Sequence, residues 1–208
     1  MDGNNNRIFC FCTCAEKHQD VYLKRIQHWY QMLKNFNEDI DFFVANDGKI
    51  EKEKLESLQN INITFFNFTP VLGRITCGNF PGYRRSFGQM MGEALNRGYN
   101  YVMHVENDVQ IMNYDKIKPF LKEDGLYASF NYHYNFIESA FLIINDRKSI
   151  ETLHNMFNDK INLYSDIYFE HQIQRIFNFN YPFVSYRKNE QKDIENADFI
   201  CQYHGRGY

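Results

Sequence analysis

Apolar positions along this chain follow two alternating rhythms. Residues 7–14, RIFCFCTC, form a short apolar run rich in strand-forming residues. Tyr22, Ile26, Trp29, Tyr30, Leu33 and Phe36 then recur at spacings of three and four, which marks one face of a helix. Residues 39–45, DIDFFVA, predict a second strand, closed by the turn-formers Asn46-Asp47-Gly48. The charged stretch IEKEKLESLQN (50–60) suits a solvated helix, and NITFFNF (62–68) a third strand. A loop carrying Pro70, Gly73, Gly78, Pro81 and Gly82 leads into a helix with Phe87, Met90, Met91, Ala94 and Leu95 on one face. Gly98 stands where that helix should stop. Residues 101–105, YVMHV, predict the next strand, and it runs straight into Glu106-Asn107-Asp108.

The order β-α-β-α-β-loop-α-β argues for a parallel, doubly wound α/β sheet flanked by helices. Ligands of such sheets bind beyond the carboxyl ends of the strands, which is where Glu106, Asn107 and Asp108 fall. Two carboxylates at a buried strand end are costly unless a cation or hydrogen-bond donors pair with them. The alternative is a solvated turn at the sheet edge. The second half is less regular. LYASF (126–130) and FIESAFLII (136–144) predict two strands around the loop NYHYN, and Asp146 opens a helix bearing Ile150, Leu153, Met156 and Phe157. Residues 165–177 predict a helix capped by Ser165, with Asp166 and Glu170 four apart on one side. PFVSY (182–186) predicts a last strand, and a polar tail ends in QYHGRGY.

Composition narrows the class. The 208 residues contain 44% hydrophobic and 17% aromatic residues, enough for a packed core, and no repeat or low-complexity linker divides them, so one domain is expected. A net charge of −3 gives no electrostatic reason to expect nucleic acid. Five cysteines are present; Cys10, Cys12 and Cys14 alternate and read as small buried hydrophobes of a reducing compartment rather than metal ligands. No signal-peptide segment and no apolar stretch long enough to span a membrane is seen, so a cytoplasmic location is expected, and the sequons at Asn62 and Asn67 would go unused.

The acidic triplet at a strand end, preceded by a Gly/Pro loop and an Arg-bearing helix, resembles the GT-A fold of nucleotide-sugar glycosyltransferases. Their aspartate-any-aspartate motif holds a divalent metal that grips the donor diphosphate; here Glu106 replaces the first aspartate. The resemblance implies a single GT-A-like (Rossmann-like) domain. Residues 1–110 would bind the nucleotide sugar, and 111–208 the acceptor. It assigns Thr13, Cys14 and Ala15 to the base and ribose, and Asp47, otherwise a turn-former, to the base. Asn107, Arg84 and Arg85 fall near the diphosphate, where guanidiniums at a helix N-terminus concentrate positive charge. It makes Glu106, Asp108 and the tail residue His204 ligands of Mn²⁺ or Mg²⁺, with Arg206 as a phosphate contact; the alternative is a frayed tail.

Transfer to a hydroxyl also needs a route for the acceptor's proton. Glu170, Asp166 and Glu138 are the candidate bases, although His171 stands where the family has a second aspartate after Glu170. Each carboxylate also reads as a surface residue in a helical ion pair. The aromatic loop around Tyr132, His133 and Tyr134 is suited to an acceptor sugar face. The resulting expectation is a metal-dependent transfer from a UDP-sugar to a glycan acceptor. A non-catalytic nucleotide- or glycan-binding module is one alternative. A sugar nucleotidyltransferase is the other, and TCAEKHQD after the first strand lacks its glycine-rich loop.

Overall fold

Alternation in the first strand decides both faces of the sheet. In the computed structural model, β1 (Ile8–Ala15) sends Ile8, Cys10 and Cys12 into one apolar layer and Phe9 and Phe11 into the other. The structure describes residues 4, 6–15, 19–50, 58, 61–76, 78–131, 135–187 and 196–201. The helix expected over 50–60 and the centre of the NYHYN loop therefore lie outside the described residues, apart from Ile50 and Leu58.

The chain continues through α1 (Gln19–Lys34), β2 (Ile40–Asp47), β3 (Ile63–Phe68), α2 (Pro81–Asn96) and β4 (Tyr101–Val105). A two-residue β5 (Gln110–Ile111), a short α3 (Tyr114–Ile117) and a 3₁₀ turn (Lys118–Leu121) lead to β6 (Gly125–Asn131), β7 (Phe136–Ile137) and β8 (Phe141–Asn145). Helices α4 (Arg147–Asn158), α5 (Lys160–Leu163) and α6 (Phe169–Gln174) precede β9 (Asn180–Phe183), β10 (Ser185–Arg187) and β11 (Phe199–Cys201). The main sheet has the order β3-β2-β1-β4-β8-β6-β7, with β9 also on β6. Strands β3, β2, β1 and β4 are parallel; β8 and β7 run against the rest. The fold is a mostly parallel α/β sheet with helices on both faces.

Helix α1 and the turn after it cover one face through Ile26, Trp29, Leu33 and Phe36, and the Trp29 indole N–H donates to the Val105 carbonyl at 2.9 Å. On the other face α2 packs against α4. A Cβ on Gly88 would lie 2.7 Å from that of Phe157, and one on Gly92 2.5 Å from the His154 ring, so the two helices approach too closely for larger residues.

Several expectations are corrected. The apolar run 136–144 is broken into two strands by a bend at 138–140. The helix expected over 165–177 begins only at Phe169, so Asp166 is not on it, and Ser165 accepts from the Ile167 amide in a turn instead of capping. PFVSY divides at Val184, whose amide donates to Asp198. Strand β11 was not expected: its residues FIC carry too short a pattern to stand out.

Arg84 accounts for the missing helical turns. Its side chain has no exposed surface and donates to the carbonyls of Gly78 (2.9 Å), Leu163 (3.3 Å), Ser165 and Ile167. Those carbonyls are satisfied by a guanidinium instead of by helix amides. Burial lowers the Arg84 pKa, while the charges of Glu170 and Asp166 oppose that shift. This corrects the placement of Arg84 at a diphosphate: its guanidinium is sealed inside the protein and both terminal nitrogens donate to backbone carbonyls.

His104 on β4 is likewise buried, surrounded by the rings of Phe11, Tyr83 and Phe87. Its Nδ1 lies 3.0 Å from the Ser139 carbonyl, which can only accept, so Nδ1 carries the proton of a neutral ring. Burial lowers its pKa to about 3.

Two outcomes follow. Arg84→Met leaves four carbonyls short of a donor and should destabilise the fold by about 3 kcal/mol or more, a fall of roughly 6–12 °C in Tm for a chain of this size. Arg84→Lys should recover only part, because one ammonium cannot reproduce the planar fork; thermal melts decide. For His104, the unfolded chain takes a proton near pH 6.5 and the folded one only near 3. Stability should therefore fall as pH drops between those values, by up to about 1.4 kcal/mol per unit. His104→Phe should flatten that slope in urea titrations across the same range.

Candidate functional site

Parallel strands end together, and here the carboxyl ends of β1, β2 and β4 open into one cavity of about 760 Å³. Thr13 and Cys14 from β1, Asp47 from β2 and the Glu106-Asn107-Asp108 turn after β4 line it. The opposite wall is the loop after β3, with Val71, Gly73, Arg74 and Phe80, followed by Tyr83 in the first turn of α2. Ala15 ends β1 in register with Asp47.

Asp47 is a structural anchor as well as a wall residue. With 3% of its side chain exposed, it accepts from the amides of Leu72 (3.1 Å) and Gly73 (2.6 Å) and from the Arg85 guanidinium. It thereby holds the 72–74 loop against the sheet. The helix start must leave it room: a Cβ on Gly82 would sit 2.0 Å from Asp47 Oδ2. Arg85 also donates to the Phe68 carbonyl and sits behind Asp47, outside the cavity wall. The expectation that the Arg84-Arg85 pair faces a diphosphate is thus replaced by a different cation. Arg74 lies on the wall, its guanidinium 4.2 Å from the centre of the Phe80 ring.

The acidic turn is held at both sides. The Glu106 amide donates to the Ala140 carbonyl (2.8 Å), the Val109 amide returns to the Glu106 carbonyl (3.1 Å), and the Asn107 side chain donates to Cys14 Sγ (3.0 Å). Glu106 and Asp108 are half-buried hard-oxygen donors on one turn, a set that suits Mg²⁺ or Mn²⁺. Among the described residues no group of three or more His, Cys, Asp or Glu side chains is placed to hold a metal, so the turn offers two protein ligands at most from this set. His204 and Arg206 lie outside the described residues. Their tail follows β11, which pairs Ile200 with Gln110, two residues after Asp108.

A second group of carboxylates gathers beside this turn. The bend between β7 and β8 carries Glu138, 1% exposed, whose Oε1 accepts from the Ala140 amide at 3.4 Å. Ser139 on the same bend donates its hydroxyl proton to Glu170 Oε1 at 2.7 Å. Tyr83 adjoins all three acids: burial raises its pKa well above the ordinary value, and the charges of Glu106, Glu170 and Glu138 add to the shift. Asp166 is exposed, accepts from Asn79, and is not part of the cavity wall. The structure thus brings Glu138 and Glu170 to the end of β4 and leaves Asp166 outside. His171 packs against Phe136 and Tyr168.

Sequence reasoning missed Tyr83, Arg74 and Phe80 on the cavity wall and Ser139, which donates to Glu170. Tyr83 directly precedes the two arginines, and Ser139 interrupts an apolar strand, a polar break that marks a bend. Arg74 and Phe80 sit in a loop whose pattern gives no direction to any side chain.

No family model and no curated protein matches this chain. Solved structures do. The galactosyltransferase LgtC, in complex with donor and acceptor sugar analogues, matches with a TM-score of 0.63 at 13% identity, over 95% of this chain and 87% of LgtC. A glycosyltransferase involved in glycosylating the major capsid of PBCV-1 matches at 0.55 and 12%, over 93% and 92%. The glycosyltransferase GlyE of Streptococcus pneumoniae TIGR4 matches at 0.60 and 11%, over 95% of this chain and 54% of GlyE. At these identities the likeness is one of fold: the chain has the GT-A-like architecture of these glycosyltransferases.

Proposed function

We propose that the protein is a glycosyltransferase that moves a sugar from a nucleotide-sugar donor, a UDP-sugar, to a hydroxyl of a glycan acceptor. The observation that carries this reading is the convergence of Thr13, Cys14, Asp47 and the Glu106-Asn107-Asp108 turn on one cavity at the carboxyl ends of three parallel strands. The glycosyltransferase neighbours supply independent support through their shared fold. The described helices include none long and apolar enough to cross a membrane.

In this reading the base and ribose lie along Thr13, Cys14, Ala15 and the loop held by Asp47, with Arg74 at the wall. Asn107 and Arg206 contact the diphosphate, and Arg85 acts through Asp47. Glu106 and Asp108, joined by His204 from the tail, would hold a divalent cation, Mn²⁺ or Mg²⁺. When bound, such a cation offsets the charge that builds on the diphosphate as the glycosidic bond breaks. Glu170 is the favoured base for the acceptor hydroxyl because Ser139 orients it, and Glu138 is the nearby alternative. Asp166 is the weakest of the three, since it is exposed and has no part in the hydrogen bonds that hold Glu138 and Glu170 at the 138–140 bend.

The first test is calorimetry of UDP with and without Mn²⁺. Binding should require the cation, and Asp108→Ala should abolish it while circular dichroism stays unchanged. If UDP neither binds nor raises Tm in Mn²⁺, the donor reading is wrong. Glu170→Gln should leave UDP affinity intact and cut transfer or UDP-sugar hydrolysis by about 10²–10⁴-fold. Binding without any turnover in the wild type would instead indicate a nucleotide-binding module. Gly82→Ala, by pushing Asp47 off the 72–74 loop, should weaken UDP binding about tenfold or more without loss of the sheet, read by the same titration.

A further inference from the structure

Among the residues that line the cavity, Asp47, Glu106 and Asp108 are acids and Arg74 is a cation. Asp47 is matched by Arg85 and two loop amides, whereas among the described residues Arg74 has no carboxylate partner. Its Nε donates to the Thr76 carbonyl at 3.0 Å, and its guanidinium carbon lies 4.2 Å from the centre of the Phe80 ring. Contact with a ring spends none of the N–H groups, so the terminal nitrogens can still donate to a ligand. The loop that carries this exposed side chain is fixed on both sides of it. Asp47 accepts from the Leu72 and Gly73 amides, the Gly82 amide donates to the Gly73 carbonyl (3.1 Å), and the Ile75 amide donates to the Asn79 carbonyl (2.9 Å).

A planar fork of donors held on such a wall recognises an anion with several oxygens. In the nucleotide-sugar reading above that anion is the diphosphate, because uracil and ribose are neutral. Charge balance agrees. A divalent cation cannot by itself offset both the acidic turn and a diphosphate, so the cavity needs a further positive charge. Arg84 is sealed in the interior and Arg85 is committed to Asp47, and Arg74 is the guanidinium that reaches the wall. Resting on that reading, we propose that Arg74, supported by the Phe80 ring, binds the donor's diphosphate, the role expected of the arginine pair at the start of α2.

The test titrates UDP by calorimetry and uridine by NMR, both in Mn²⁺, into the wild type, Arg74→Met, Arg74→Lys, Phe80→Leu and the double variant. Arg74→Met should weaken UDP about tenfold and leave uridine within about twofold of the wild type. Arg74→Lys should recover part of the loss, since it keeps the charge without the fork. Phe80→Leu, which removes the ring beside the guanidinium, should weaken UDP about 2- to 5-fold. Added to Arg74→Met, it should weaken UDP no further. Arg74 is exposed, so its variants should keep the wild-type circular dichroism. Equal weakening of UDP and uridine would put the guanidinium on the nucleoside and overturn the proposal, and so would fully additive losses in the double variant. A wild type that does not bind UDP overturns the donor reading and this contact together; wild-type UDP binding that Arg74→Met leaves unchanged overturns this contact alone.

Discussion

The guanidinium of Arg84 is sealed from solvent, and four backbone carbonyls, rather than a carboxylate, accept its hydrogen bonds. Those carbonyls come from the loop before α2 and from the last residue of α5 and the stretch that follows it. Tying them to the first turn of α2 settles where α6 begins, and so where Glu170 points. It also settles the position of Tyr83, the adjacent residue. A planar fork with five donors is the side chain suited to this task.

Around that clamp the charges divide into two regions. On the β2 side, Asp47 is matched by Arg85 and by two loop amides, so its negative charge is compensated within the protein. On the β4 side, Glu106 and Asp108 follow the carboxyl end of the strand and Glu138 and Glu170 lie beside them, with hydrogen bonds from the Ala140 amide to Glu138 and from Ser139 to Glu170. Such a cluster gains from a cation and from neutral hydroxyl-rich ligands, and resists a bare anion. The proposed donor, a sugar joined to a cation-bound diphosphate, meets both conditions in one molecule.

Much of the parallel half was legible. β1, β2, β3, α2 and β4 fall within a few residues of their expected ranges because each carries a long, clean period of two or 3.6. Asp146 does cap α4, its carboxylate accepting from Lys148 and Ser149. The acidic turn and Asp47 were found because strand ends are recognisable and ligands gather there. The Arg84 role was misread: a basic residue at a helix start looks the same in sequence whether it faces a ligand or the interior. The 165–177 helix was overestimated because its apolar spacing is real, but the backbone groups of its first turns are used elsewhere.

The sequence by itself determined the layered α/β order, the strand that ends in Glu106-Asn107-Asp108, and the helix faces that bury each side of the sheet. These follow from local periodicity, which every short window carries. Tertiary structure decided which arginine reaches the cavity, which acids lie together, that Tyr83 lines the cavity and that Ser139 donates to Glu170. Those depend on segments 25 to 93 residues apart meeting through a handful of hydrogen bonds, and no local pattern records such a meeting.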